Sequence, residues 1–108
     1  MAKQLVWLSY DLGLTGDYEG LYTWLDRQEA KECGDSVAIF VYHCDSDLAE
    51  HIKQSLEDAV SLDKKSRIYL IYRTDEGRTK GKFLFGRRKA APWAGYAVAD
   101  EGGDDIGD

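Results

Sequence analysis

Two amphipathic segments that alternate with β-prone runs constrain the fold of this 108-residue chain. Apolar residues recur at helical spacing between residues 18 and 29, and again between residues 48 and 60. Aromatic and β-branched residues dominate the runs at 4–10, 36–42 and 66–73, which surround these two segments. An amphipathic helix buries its apolar stripe against a second layer, so this order predicts two helices packed on a sheet.

The segment 31–43 sets the number of strands. Gly34 and Asp35 form a turn signal between a short polar run and a β-prone run, which predicts a short strand, a tight turn and a longer strand. With a last short strand at 82–85, the predicted fold is α+β: a ferredoxin-like sandwich in which an antiparallel sheet carries two helices on one face and an extra C-terminal strand. The alternative, one strand over residues 31–43, predicts a small mixed α/β sheet.

The composition predicts a single folded domain over residues 1–99, because 44% of the residues are apolar and only one is proline. Residues 100–108, DEGGDDIGD, are acidic and glycine-rich and predict a disordered tail. No apolar run approaches the roughly 18 residues of a membrane span, and the N-terminus lacks a signal-peptide pattern. We therefore expect no membrane partner and a cytoplasmic location. Cys33 and Cys44 lack a zinc-ligand spacing and predict half-buried thiols in a reducing compartment.

Charge is distributed unevenly along the chain. The net charge is −6, yet residues 64–89 hold ten of the fourteen basic residues against two acidic ones, a local balance of +8. Such a segment can present a cationic surface to an anionic partner, although the protein as a whole is acidic. The alternatives are a contact between oppositely charged surfaces of two subunits, or ordinary solvated charges on strand edges and loops.

Arg87, Arg88 and Lys89 are the candidate nucleic-acid-binding residues. They combine phosphate-pairing side chains with nearby aromatic rings on which bases can stack, a combination suited to single-stranded nucleic acid or to a nucleotide. The aromatic residues in question are Phe83, Phe85, Trp93 and Tyr96. The alternative interpretation places these rings in the core or in a contact between two subunits.

Asp11 is the candidate catalytic residue and metal ligand. It directly follows the apolar strand run, a position in which a carboxylate is accessible from the loop side and can bind a hard divalent cation such as Mg²⁺. One carboxylate is too few for such a site, so Asp17, Asp35 or a second copy of Asp11 would have to complete it. The alternative is a turn in which Asp11 accepts a hydrogen bond from the glycine-containing loop that follows.

A first strand that ends in Tyr10-Asp11-Leu12, followed by a loop and an amphipathic helix, resembles the second CRISPR-associated protein family and its relative, virulence-associated protein D. The spacing after the loop is also similar to that of uncharacterised bacterial proteins with this fold. The resemblance implies a homodimer, in which Asp11 of each subunit would occupy the metal-binding position of a magnesium-dependent endonuclease.

Two hypotheses of function follow. The first is a homodimer that binds nucleic acid or cleaves it with magnesium, using Asp11 as catalytic residue and metal ligand. The second is a non-catalytic protein-interaction module linked to a defence system, a toxin–antitoxin pair or a mobile element, in which the acidic surface binds a basic protein partner. In that case Asp11 has a structural role.

Overall fold

Five strands and two helices succeed one another as β1 (Lys3–Asp11), α1 (Tyr18–Arg27), β2 (Lys31–Glu32), β3 (Val37–His43), α2 (Leu48–Ala59), β4 (Arg67–Arg73) and β5 (Thr79–Phe85). The computed structural model describes residues 3–97. All neighbouring strands are antiparallel, in the order β2-β3-β1-β4-β5. This architecture confirms the predicted ferredoxin-like α+β sandwich with an extra C-terminal strand. The mixed-sheet alternative is wrong, because β2 and β3 are separate antiparallel strands. The predicted tail, 100–108, lies outside the described residues.

The core lies between one face of the sheet and the two helices. On β1, Val6, Leu8 and Tyr10 alternate towards this side and are buried, because successive side chains of a strand point to opposite faces. The helices contribute Leu21, Trp24 and Leu25 from α1 and Leu48, Ala49, Ile52 and Leu56 from α2. Burial of one such leucine side chain contributes about 1.5–3 kcal/mol, so these two stripes hold the helices on the sheet.

Asp17 connects the start of α1 to the segment after α2. Its Oδ1 accepts the N-capping hydrogen bond from Gly20 N at 2.9 Å, and its Oδ2 accepts a hydrogen bond from Ser61 N at 2.9 Å. The bonds from Ser61 and Gly20 hold the pKa of Asp17 below its ordinary value, because they favour the charged carboxylate. Both carboxylate oxygens of Asp17 therefore accept hydrogen bonds that stabilise the fold.

The last strand is longer than predicted. We expected it at 82–85, with a glycine-rich connection before it, but β5 begins at Thr79, which pairs with Arg73. The pairing extends across Gly81, which lies opposite Ile71 and under the ring of Tyr69; a Cβ at Gly81 would collide with that ring. A tight turn between β4 and β5 brings these residues into register, and this tertiary pairing overrides the weak strand propensity of glycine.

The second face of the sheet, here called the open face, is not covered by either helix. Its central side chains are apolar and come from the three middle strands: Trp7, Ile39 and Ile71 are partly buried, whereas Leu5 is 39% and Val41 45% exposed. The register places Trp7 opposite both Ile39 and Ile71. The open face is thus an apolar surface with polar residues around it.

Two smaller observations concern the length of the helices and the exposure of the cysteines. No helix within residues 3–97 is long and apolar enough to cross a membrane. Both cysteines are free thiols; Cys44 is partly buried as expected, but Cys33 is exposed. The expectation for Cys33 was wrong, because this residue follows the two-residue strand β2 at the edge of the sheet.

Candidate functional site

A groove at one end of the sheet brings Asp11 together with the basic segments. Asp11, the last residue of β1, lies directly opposite Arg67, the first residue of β4. Since β4 and β5 form an antiparallel hairpin, the start of β4 also lies beside the residues that follow β5. Two separate segments of this hairpin, 64–67 and 86–89, therefore meet next to Asp11.

This groove is here called the basic groove. Six basic residues and one acidic residue line it. Its volume is about 750 Å³. The basic residues are Lys64, Lys65, Arg67, Arg87, Arg88 and Lys89, and the acidic residue is Asp11. Like charges gathered in a concave surface produce a local potential that attracts counter-ions, whatever the net charge of the chain.

Gly86 places the second basic segment. Its φ of +77° is unfavourable for residues with a side chain, and a Cβ there would lie 2.7 Å from the carbonyl oxygen of Ser66. The absence of a side chain allows the backbone after β5 to approach the start of β4 this closely. Arg67 Nε then donates a hydrogen bond to the carbonyl oxygen of Arg87 at 3.3 Å, which fixes the two segments to each other.

The carboxylate of Asp11 takes part in a local turn. Its Oδ1 accepts a hydrogen bond from Gly13 N at 3.0 Å, as the structural alternative predicted. The two residues considered as additional ligands lie elsewhere, since Asp17 caps α1 and Asp35 is in the turn between β2 and β3. Within residues 3–97, no three His, Cys, Asp or Glu side chains are grouped as a metal site. The role of Asp11 as a Mg²⁺ ligand stays a prediction.

A cluster of arginine and aromatic side chains lies beside the basic groove. The rings of Tyr69 and Phe83 meet edge to face, with centroids 4.7 Å apart. The guanidinium carbons of Arg67 and Arg88 each lie 5.6 Å from the centre of the Phe83 ring, and that of Arg88 is 5.9 Å from the centre of Tyr69. These distances lie within the range of cation–π attraction, which favours positions of the two arginines near the rings and leaves their guanidinium N–H groups available as donors.

The predicted aromatic partners divide into different roles. Phe83 belongs to the arginine cluster, whereas Phe85 packs against the core on the helix side, with Lys53 Nζ 6.0 Å from its ring centre. Trp93 is 74% exposed and Tyr96 is 72% exposed. The expectation of rings next to the candidate phosphate contacts therefore applies to Phe83 and Trp93, and the core interpretation applies to Phe85.

Sequence reasoning placed Arg87, Arg88 and Lys89 in the site but missed Lys64, Lys65 and Arg67. A signal for these three was present in the chain. The runs at 66–73 and 82–85 are close enough in sequence to form a hairpin, and in a hairpin the residues before the first strand meet those after the second. The proximity of Asp11 to both segments had no such signal, because it depends on β1 pairing with β4.

Comparisons with known proteins give no relative. Neither a protein-family model, nor a curated protein, nor a solved structure matches this chain significantly.

Proposed function

We propose that this protein binds nucleic acid through backbone phosphates held in the basic groove. The observation that carries the proposal is the convergence of six basic residues from two separate segments on one concave surface of about 750 Å³. Arginine and lysine side chains are the usual protein donors to phosphate oxygens, and a groove that tracks several phosphates has this kind of charge density.

The acidic net charge is compatible with this proposal. Phosphate binding depends on the local potential at the contact surface, and residues 64–89 carry a balance of +8 within a chain of −6. The acidic remainder would repel a polyanion from the other surfaces. We therefore expect a single binding surface, with a strong dependence of affinity on salt concentration.

The test measures the affinity of the purified protein for labelled single- and double-stranded DNA and RNA by fluorescence anisotropy, over a series of salt concentrations. The groove variant is R87A/R88A/K89A. Its matched control is R78A/K80A/K82A, which removes three exposed basic residues of the same segment that do not line the groove. Both variants have the same net charge.

The groove variant should lose most of its affinity, and the slope of log affinity against log salt should become shallower by about 0.7 for each single-strand phosphate contact removed. The control should keep most of the affinity of the wild type. Equal losses in the two variants, or an affinity of the wild type that does not respond to salt, would contradict the proposal and direct the search to a protein partner.

Metal-dependent cleavage of the bound strand is the second candidate function. The observation that favours it is the position of Asp11 in the same groove as the six basic residues. A Mg²⁺ ion is often bound by one or two carboxylates together with water and phosphate oxygens, so the further ligands would come from the bound strand and from Asp11 of a second copy. Asp11 would hold such an ion, and the chemistry supplied there would be activation of a water nucleophile and stabilisation of the leaving oxygen.

Cleavage is tested with wild type and Asp11→Asn on the same oligonucleotides, with magnesium, manganese or a chelator. Products that require the metal and disappear in the variant are the expected result for a nuclease. No cleavage by the wild type, or equal cleavage by both proteins, would contradict a catalytic role of Asp11. It would leave the binding proposal standing, because that depends on the basic residues.

We also propose that two copies pair through the open face. The support is its apolar centre, with Leu5 39% and Val41 45% exposed and no helix of the described chain covering it. A surface of this kind is commonly buried between subunits. Light scattering coupled to size exclusion measures the mass directly, and a monomeric mass at all accessible concentrations would contradict the pairing.

A further inference from the structure

A second groove of about 320 Å³ adjoins the basic groove and shares three of its basic residues, Arg67, Arg88 and Lys89. It is here called the Trp93 groove, because the remaining part of its wall includes Phe83, Pro92 and Trp93. One groove is therefore lined mainly by cations and the other by cations and rings. A ligand that carries a phosphate and a flat apolar group next to each other would occupy both.

The local backbone holds Trp93 at this place. Residues 91–94 form a turn in which Ala94 N donates a hydrogen bond to the carbonyl oxygen of Ala91 at 3.0 Å, and Tyr96 N donates one to the carbonyl oxygen of Trp93 at 3.1 Å. Proline at position 92 restricts the backbone of this turn further. The indole is nevertheless 74% exposed, so its packing within the described chain does not account for its position.

We propose that the Trp93 groove is a base-stacking subsite and that it makes the protein selective for single-stranded nucleic acid; this inference rests on the nucleic-acid binding proposed above. The geometry supports a phosphate on Arg67, Arg88 and Lys89, with the attached nucleoside in the neighbouring groove. Its volume lies at the lower end of the ~300–1,000 Å³ typical of small-molecule sites. A base in a duplex is stacked and paired, so only an unpaired base can place its flat face on the indole.

The arginine cluster strengthens this assignment. Arg88 is restrained by Tyr69 and Phe83, with its guanidinium carbon within 6 Å of both ring centres, at 5.9 and 5.6 Å. A restrained arginine loses less conformational freedom when it binds a phosphate, so it fixes the distance between the phosphate and the base. Arg88 and Trp93 line the same groove, so a phosphate on Arg88 would place its nucleoside near the indole.

The experiment compares wild type, Trp93→Ala, Trp93→Phe and Tyr96→Ala. Tyr96 is the matched control, because it is 72% exposed on the same segment but does not line the Trp93 groove. Three probes are used: a single strand, a duplex of the same sequence, and a single strand whose central nucleotides are abasic. Binding is followed by anisotropy and by quenching of tryptophan emission.

For the single strand, we expect Trp93→Ala to lose about tenfold or more in affinity, whereas Trp93→Phe and Tyr96→Ala stay within about threefold of wild type. The duplex and the abasic strand should bind Trp93→Ala and wild type equally. Quenching by the single strand should disappear in Trp93→Phe although its affinity is retained, since the stacking ring is then no longer an indole.

Two results overturn the subsite, and they differ from a failure of the proposed function. If the groove variant R87A/R88A/K89A loses binding but Trp93→Ala binds the single strand as wild type does, phosphate binding stands and base stacking is wrong. The same holds if Trp93→Ala loses affinity for the single strand, the duplex and the abasic strand equally. If wild type binds none of the three probes, both proposals fail together.

Discussion

Asp11 and Arg67 lie directly opposite one another on β1 and β4, and both line the basic groove. The groove therefore contains one negative charge among six positive ones. If phosphates bind there and Asp11 holds no metal ion, the negative carboxylate repels the phosphates and weakens binding. We predict that Asp11→Asn binds oligonucleotides about threefold more tightly than wild type, since exposed charge pairs are weak.

Asp26→Asn is the control for this prediction, because it changes the net charge equally at an exposed position of α1 outside the groove. Its affinity should match that of wild type. A loss of affinity in Asp11→Asn when magnesium is present, together with no change when it is chelated, would instead indicate that Asp11 binds the ligand through the metal.

Gly86→Ala is predicted to disturb both stability and binding. The φ of +77° alone costs an alanine about 1–2 kcal/mol, and its Cβ would lie 2.7 Å from the carbonyl oxygen of Ser66. The segment 86–89 should move away from Arg67, so oligonucleotide affinity falls as well. Urea unfolding and anisotropy measure the two effects.

Gly77→Ala is the control that separates the effect of a strained φ from the effect of the collision between residue 86 and Ser66. Gly77 has a φ of +84° in the turn at the other end of the same hairpin, and a Cβ there would have Arg73 Nη2 as its nearest neighbour, 3.8 Å away. This variant should lose stability from the strained φ but keep its oligonucleotide affinity. Equal affinities of the two variants would show that Gly86 does not place the basic segment.

Asp17→Ala should lower the thermal midpoint by about 5 °C at neutral pH, because the N-cap of α1 and the bond to Ser61 are lost together. The pKa of Asp17 is lower in the folded than in the unfolded chain. Its contribution to stability is therefore complete above the ordinary carboxyl pKa and is lost as the pH falls through the lowered value.

Scanning calorimetry from neutral to strongly acidic pH checks this dependence. The difference in midpoint between wild type and Asp17→Ala should narrow as the pH falls through the lowered pKa of Asp17. A difference that stays constant with pH would mean that the carboxylate charge contributes nothing. Asp17→Asn, which keeps one acceptor oxygen, should lie between the two proteins at neutral pH.

Val41→Glu tests pairing through the open face. Val41 is 45% exposed on β3, and in a symmetric dimer the substitution would bury two carboxylates. We expect the dimer dissociation constant to rise by at least about tenfold, measured by light scattering across a dilution series. Leu14→Glu is the control, because Leu14 is fully exposed in the loop after β1 and should leave the mass unchanged.

Local sequence signals were sufficient for the elements and their order. The apolar stripes of α1 and α2 and the turn at Gly34 each depend on only a few neighbouring residues. The ferredoxin-like arrangement followed from this order, since helices between strands must return to the same sheet. The start of β5 could not be predicted in this way, because its glycine-containing segment becomes a strand only by pairing with β4.

For the site, the sequence by itself determined that ten of the fourteen basic residues lie within 64–89, with Phe83, Phe85 and Trp93 in or just after this segment, and that Asp11 ends the first strand. Only the tertiary structure decided that Asp11, Lys64 and Arg88 share one groove and that Trp93 lies beside it. The reason is that a groove is made where strands distant in sequence end together. Strand order and register determine which strand ends lie next to one another, and both depend on packing of the whole sheet.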